Sequence, residues 1–324
     1  MTSSISSFRG ELKVLAAVLL ALGAGEIAAR HLAPALDSDR KHIAQFPRIA
    51  NDLAAAKPPR ILFLGNSLFL HGIDVDVVKA GLAKGGYPGA AVKRVTPVGT
   101  DMVDWIYLYS RYFARSGHVP DVVVLGFARH HFVDMPPKEL ERLGRHFIGT
   151  SDIPELFKTD VDAFGDRVQV LLSYSTAMMG DHLLYQQRIM DGIIPEYREG
   201  TRWVSHRLEE RDEEQARRRN GGRETTPEYT FVRARRFAEL LRASGAHGVF
   251  VPIPLPDFWT LPDRGPAVVR ASGMTWLDGR TVPGLRPEHW YDGYHLSEEG
   301  AKIFSEFLGR EIARDLTARA PGGR

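Results

Sequence analysis

Two short segments, far apart in the chain, carry residue types that can do acyl chemistry. The first is Gly65-Asn66-Ser67-Leu68, which follows the apolar run Ile61-Leu62-Phe63-Leu64. A short unbroken apolar run ending in glycine reads as a strand buried on both faces. The carboxyl ends of parallel strands are where loops open onto a crevice and helix N-termini point at it. A serine in that place is exposed, and its own N–H can face a developing oxyanion. The tetrapeptide alone is a weak signal, because Gly-Xaa-Ser also turns and caps well at ordinary strand ends.

The second segment is Trp290-Tyr291-Asp292-Gly293-Tyr294-His295-Leu296-Ser297. Asp292 and His295 stand three apart across a glycine, a spacing that a tight turn converts into a carboxylate beside an imidazole nitrogen. Held so, the acid fixes the tautomer, and the other ring nitrogen is free to take a proton from a serine hydroxyl. A serine needs this help, being a weak nucleophile near neutral pH without an adjacent base. Asp-Xaa-Xaa-His by itself is more often a plain loop hydrogen bond. The reading rests on both segments occurring together, each where an alternating α/β chain would place it.

The elements that must position them follow from the apolar pattern. Runs at residues 60–65, 91–98, 121–126 and 247–253 read as strands, with helix-like stretches at 102–113 and 231–244. Strands alternating with helices predict an α/β fold, a three-layer αβα sandwich around a parallel sheet. Ser297 is a natural N-cap for a final helix running to about residue 316. Ile43, Phe46, Ile49 and Leu53 recur at helical intervals and predict a connecting helix over 37–57, stopped by Pro58-Pro59. A mostly helical insertion, about 135–228, separates the third and fourth strands. Its interleaved acids and bases at 206–224 read as a solvated helix and a turn, the alternative being a polyanion patch of Arg217, Arg218, Arg219 and Arg223. Tyr174, Tyr185, Tyr197, Trp203 and Tyr229 either stack on sugars or pack the insertion.

Composition bounds the chemistry further. The 324 residues include no cysteine, which excludes a disulfide scaffold, a thiolate metal site and a cysteine nucleophile. With 42 Lys+Arg against 40 Asp+Glu the chain has no general field for nucleic acid. No cofactor is expected. The adjacent His130 and His131 point to opposite sides of an extended segment, with no acidic cluster beside them in sequence, which argues against a metal site. Arg9 and Lys13 precede an uncharged apolar run at 14–25, and apolar character resumes past Glu26. A basic flank before an apolar core is an export pattern, read here as an uncleaved N-terminal transmembrane signal anchor, with Glu26 near the outer interface and the body outside the cytoplasm. A cleaved signal peptide or a buried helix are the alternatives.

Gly65-Asn66-Ser67-Leu68 after a buried strand, with Asp292-Gly293-Tyr294-His295-Leu296-Ser297-Glu298-Glu299-Gly300-Ala301 opening the last helix, resembles the SGNH/GDSL hydrolase superfamily. The resemblance implies Ser67 as nucleophile, His295 as general base and Asp292 as its orienting acid. It implies an oxyanion hole from the Ser67 N–H and Gly99, with Asn66 among the residues near substrate. The family's third block, Gly-Xaa-Asn-Asp, is here Gly126-Phe127-Ala128-Arg129, so an oxyanion donor is missing unless Arg129 or His130 replaces the asparagine, and His130 is also placed toward substrate. The anchor, the connecting helix and the insertion together look similar to exported members that resemble alginate O-acetylation factors and the DltD proteins. That likeness implies an acyl ester of a cell-envelope glycan, most simply acetyl, as substrate and a membrane acyltransferase as partner; a lipid esterase and a catalytically impaired binding protein are the alternatives. The expected organisation is an anchor at 1–30, a connecting helix at 31–59, an SGNH-like domain at 60–317 and a disordered tail at 318–324.

Overall fold

The computed structural model of the protein describes residues 3–197, 200 and 229–320. The charged run at 206–224 with its arginine patch, Trp203 and residues 321–324 of the tail lie outside the described residues. The chain divides into two compact units, one made of His42–Lys138, His146–Ala163 and Tyr229–Arg324, the other of Met1–Lys41, Glu139–Arg145 and Phe164–Glu228.

The first unit holds a five-stranded sheet of β1 (Arg60–Leu64), β2 (Ala91–Val95), β3 (Val122–Phe127), β4 (His247–Pro252) and β5 (Thr275–Trp276). All pairs are parallel, in the order β2-β1-β3-β4-β5. The α/β class expected from the pattern of apolar runs is the one observed. Strand order reverses between β1 and β3, and the carboxyl ends there are the place where an open α/β sheet collects ligands.

Alternation along the strands explains why both faces are apolar. Ile61, Phe63, Val122, Val124, Val249 and Val251 share one buried cluster with Val78, Leu82, Phe304 and Leu308, from helices Val75–Lys84 and Glu298–Arg319. The intervening Leu62, Leu64, Leu125 and Phe250 are equally buried on the opposite face. There Phe237 of the Val232–Ser244 helix meets Phe250 with ring centroids 6.1 Å apart. Each such fully buried side chain contributes roughly 1.5–3 kcal/mol relative to exposure.

Several elements differ from the sequence reading for identifiable reasons. The helix expected over 37–57 is broken into Ser38–Ile43 and Phe46–Ala54, because Pro47 in the first turn of the second piece starts a new helix. The stretch at 102–113 runs as Met102–Tyr109 and then widens into a π-helical turn at Ser110–Ala114. The edge strand β5 has two half-buried residues and no apolar run to announce it.

The second unit is helical among its described residues. Its Ser3–Leu36 helix contains a segment, Gly10–Leu36, long and apolar enough to cross a membrane. Helices Phe164–Ser175, Ala177–Gly180 and His182–Ile193 belong to the same unit. Glu26 caps one of them: its carboxylate accepts the Ala177 N–H at 2.8 Å and the Met178 N–H at 3.2 Å, while Arg30 donates to it at 2.9 Å. An anion at the first turn satisfies N–H groups that have no intrahelical partner. Ala29 and Ala33 are buried, and the Tyr185 hydroxyl donates to the Ala29 carbonyl at 2.7 Å, so this tyrosine of the insertion is turned to the N-terminal helix.

Candidate active site

Ser67 opens the short helix Ser67–Gly72 just beyond β1. Asn66 is its N-cap, with Oδ1 accepting the Leu68 N–H at 3.0 Å. The cap therefore uses the Leu68 amide, and no hydrogen bond among the described residues uses the Ser67 N–H. The family resemblance placed Asn66 near substrate; in the structure it is buried and turned inward. Its Nδ2 donates to the Thr100 carbonyl at 3.0 Å and lies 2.9 Å from His131 Nε2, so it positions the serine loop.

The loop after β2 is tied to the same place. Thr100 Oγ1 donates to the Gly65 carbonyl at 3.3 Å, and Trp105 Nε1 donates to that carbonyl at 3.1 Å and to Thr100 Oγ1 at 3.0 Å. Gly99, next to Thr100, has φ of 67°. The loop after β3 joins through His131. Its Nδ1 faces the Ala128 N–H at 3.2 Å, so both ring nitrogens meet donors while a neutral imidazole has one lone pair to offer. An imidazolium would have none. Burial, then the charges of His130 and Lys138, hold the His131 pKa well below the usual histidine range. His130 is surface-exposed, yet partial desolvation by its neighbours, then Lys138 and Arg129, lowers it to about 4.

Neither Arg129 nor His130 is joined to Ser67 by a hydrogen bond among the described residues. Arg129 is exposed, and residues 129–132 form a helical turn rather than the expected extended segment, so the His130 ring lies against that of His131, centroids 3.7 Å apart, instead of on the opposite side. Ala128, at the position where the resemblance expects asparagine, is fully buried.

Gly126 has a reason in packing that the sequence reading did not supply. A Cβ there would stand 2.0 Å from the Phe69 ring, which is fully buried in the serine helix. Gly126→Ala is expected to destabilise the protein by about 1–3 kcal/mol and to push Phe69, and with it Ser67, out of place. Urea unfolding and esterase assays of the variant measure the two effects.

The second half of the site is the loop before the Glu298–Arg319 helix. An isolated antiparallel bridge between Trp290 and Leu296 and the Tyr291 N–H to His295 carbonyl bond at 3.1 Å close it into a hairpin-like turn. Gly293 has φ of 76°, a left-handed value that suits glycine. Asp292 Oδ1 accepts the N–H groups of Tyr294 at 3.0 Å and His295 at 2.7 Å, leaving Oδ2 2.8 Å from His295 Nδ1. Partial burial raises the Asp292 pKa, but those backbone and ring hydrogen bonds outweigh it and bring the carboxyl down to about 2. An ionised Oδ2 accepts, so Nδ1 carries the proton, and Nε2 presents its lone pair 3.0 Å from Ser67 Oγ. Ser67, His295 and Asp292, separated by most of the chain, thus form one continuous relay.

Rings surround His295. Tyr294 and His71 meet His295 edge-on, with centroids 5.2 and 5.0 Å away, and Tyr291 lies nearly parallel to it at 6.0 Å. Burial, then the neighbouring His295, lowers the pKa of His71. Beside this cluster is a cavity of about 490 Å³ whose lining includes His71, Asp74, Arg94 and Tyr291. A larger groove of about 880 Å³ between the Val75–Lys84 and Glu298–Arg319 helices contains no member of the relay. The described residues hold no cluster of His, Asp and Glu fit for a metal ion.

No family model matches the chain. No curated protein matches it either. Among solved structures it is similar to a lipase/acylhydrolase from Enterococcus faecalis, at 14% identity and a TM-score of 0.38 over 79% of this chain and 96% of that one. It is similar also to an acetyl xylan esterase from Geobacillus stearothermophilus, at 11% identity and a TM-score of 0.37 over 79% and 96% of the two chains. A GDSL-like lipase from Bacteroides thetaiotaomicron matches at 14% identity and a TM-score of 0.36, over 85% of this chain and 99% of the other. These name what the chain is similar to; its chemistry has to be read from its own site.

Proposed function

We propose that the chain is a serine acyl-ester hydrolase or O-acyltransferase of the SGNH kind, with Ser67 as nucleophile, His295 as general base and Asp292 as the acid that orients it. The observation that carries this reading is the relay from Ser67 Oγ to His295 Nε2 at 3.0 Å and from His295 Nδ1 to Asp292 Oδ2 at 2.8 Å. Oγ attacks the acyl carbon as its proton passes to Nε2, and the resulting imidazolium is stabilised by Asp292. The oxyanion is met by the Ser67 N–H and the Gly99 N–H. Collapse returns the proton from Nε2 to the departing alkoxide and leaves an acyl-serine, which water or an acceptor hydroxyl then resolves.

The substrate in this reading is an O-acyl, most simply O-acetyl, ester of a cell-envelope glycan. The apolar Gly10–Leu36 helix supports a membrane anchor with the body on the extracytoplasmic side, and a membrane acyltransferase would then be the partner that supplies acyl groups. A second reading, an SGNH-like protein that binds such a glycan without turning it over, is favoured by Ala128. Loss of one oxyanion donor costs roughly 2.7–4 kcal/mol of transition-state stabilisation. A fluorophosphonate probe separates the two: labelling that depends on Ser67 and His295 supports the enzyme, and a folded protein that stays unlabelled supports the binder.

A further inference from the structure

We propose that the helical insertion is a second membrane contact, its apolar face immersed in the outer leaflet beside the N-terminal span. The inference rests on reading that span as an anchor, and concerns the helical unit alone.

The uncharged run at residues 14–25 is too short to cross on its own. At about 1.5 Å per residue it rises roughly 18 Å. The hydrocarbon core is about 30 Å thick, so the helix must continue through Glu26, Ala29 and Ala33 before it leaves the apolar region. Glu26 then stands roughly 10 Å below the outer boundary, where a bare carboxylate is costly. It is not bare: the N–H groups of Ala177 and Met178 and the Arg30 side chain occupy it. Those N–H groups belong to the insertion, so the turn that carries them lies at the same depth. Gly25, the last residue of the uncharged run, contacts that turn directly, since a Cβ added there would come within 3.2 Å of Met178 Sδ.

The side chains around this turn suit that depth. Leu171, Leu172 and Met179 are exposed by 40%, 46% and 42%, and Phe164, on the same helix as the two leucines, by 82%. Phe164, Leu171 and Leu172 fall at helical intervals on one face of Phe164–Ser175. On the His182–Ile193 helix Ile189 and Ile193 are exposed by 60% and 70%. Among the described residues these apolar side chains are left exposed, an arrangement that costs free energy in water. Polar pairs lie at the level expected of the interface. Arg188 donates to the Leu36 carbonyl at the end of the apolar segment, and Arg40, just past it, pairs with Asp181 at 2.7 Å. An insertion depth of 5–10 Å is the usual range for helices that lie in a membrane interface.

The absence of cysteine permits a direct test on the full chain. Single-cysteine variants at Leu19, Leu171 and Ile189 are labelled with an environment-sensitive fluorophore and reconstituted in phosphatidylcholine vesicles. The proposal expects a nitroxide carried on the lipid chains to quench the Leu171 and Ile189 labels at least about threefold more than aqueous iodide does, as at Leu19. If Leu19 responds to the lipid quencher while Leu171 and Ile189 respond to iodide, the anchor stands and the proposal falls. If Leu19 also responds to iodide, the anchor reading itself fails. If neither quencher reaches Leu171 and Ile189, a second protein surface covers them and the proposal is again overturned.

Discussion

Ser67→Ala is expected to abolish fluorophosphonate labelling and to lower kcat for an aryl acetate by roughly four to six orders of magnitude, leaving only what substrate binding and the oxyanion site supply. The fold should survive. The helix is capped by Asn66, and among the described residues the hydroxyl's side-chain partner is His295, so the substitution removes a hydrogen bond worth about 1 kcal/mol. Circular dichroism and the urea midpoint of the variant should therefore match the parent closely. A variant that keeps its labelling would move the nucleophile elsewhere and overturn the assignment. An unlabelled parent protein, folded by the same criteria, would favour the binding protein instead.

Asp292→Asn should lower kcat by about 10²- to 10⁴-fold with a much smaller change in KM. Asparagine keeps one oxygen for the Tyr294 and His295 amides but turns an NH2 toward His295 Nδ1. The imidazole must then accept at Nδ1 and carry its proton on Nε2, facing Ser67, which is the wrong tautomer for a base. The Asp292 side chain is 41% exposed, so water can take part of its place, and the effect belongs nearer the lower bound. The pH dependence has a definite sign. Because the folded carboxyl is depressed to about 2, the stabilisation it gives the loop is fully present above the ordinary aspartate range and is lost only as pH falls toward about 2. Asp292 therefore stays ionised throughout the range in which esters can be assayed, and the acid limb of kcat/KM against pH should not track its titration. If the asparagine variant retains activity within tenfold of the parent, the orienting role is wrong.

How much of this was legible in the chain depends on how local each feature is. β1 and β3 could be read because strands buried on both faces need unbroken apolar runs, and residues 61–64 and 122–125 supply them. β5 could not, since two half-buried residues leave no pattern. The turn joining Asp292 to His295 is a three-residue relation across a glycine and was visible as such. That His295 reaches Ser67 is not encoded in any local spacing; it was expected from the family resemblance and follows physically from both loops lying at the carboxyl edge of one sheet. His131 shows the opposite limit. In sequence it stood beside His130 with an argument against a metal site and no structural role of its own. Its actual setting, between the Asn66 amide and the Ala128 N–H, depends on the exits of β1 and β3 converging. Gly126 likewise looked like part of a motif, whereas its reason is the ring of Phe69 lying against its Cα.

The 228-residue separation between Ser67 and His295 bears on the order in which the molecule acquires reactivity. Along the chain the serine follows the first strand, and the imidazole comes only after β5, the last of the five described strands. On the proposed roles, the serine lacks its base until the loop before the Glu298–Arg319 helix brings His295 to it. Under the proposed function, the onset of ester turnover during refolding would report that the final helix has closed the core.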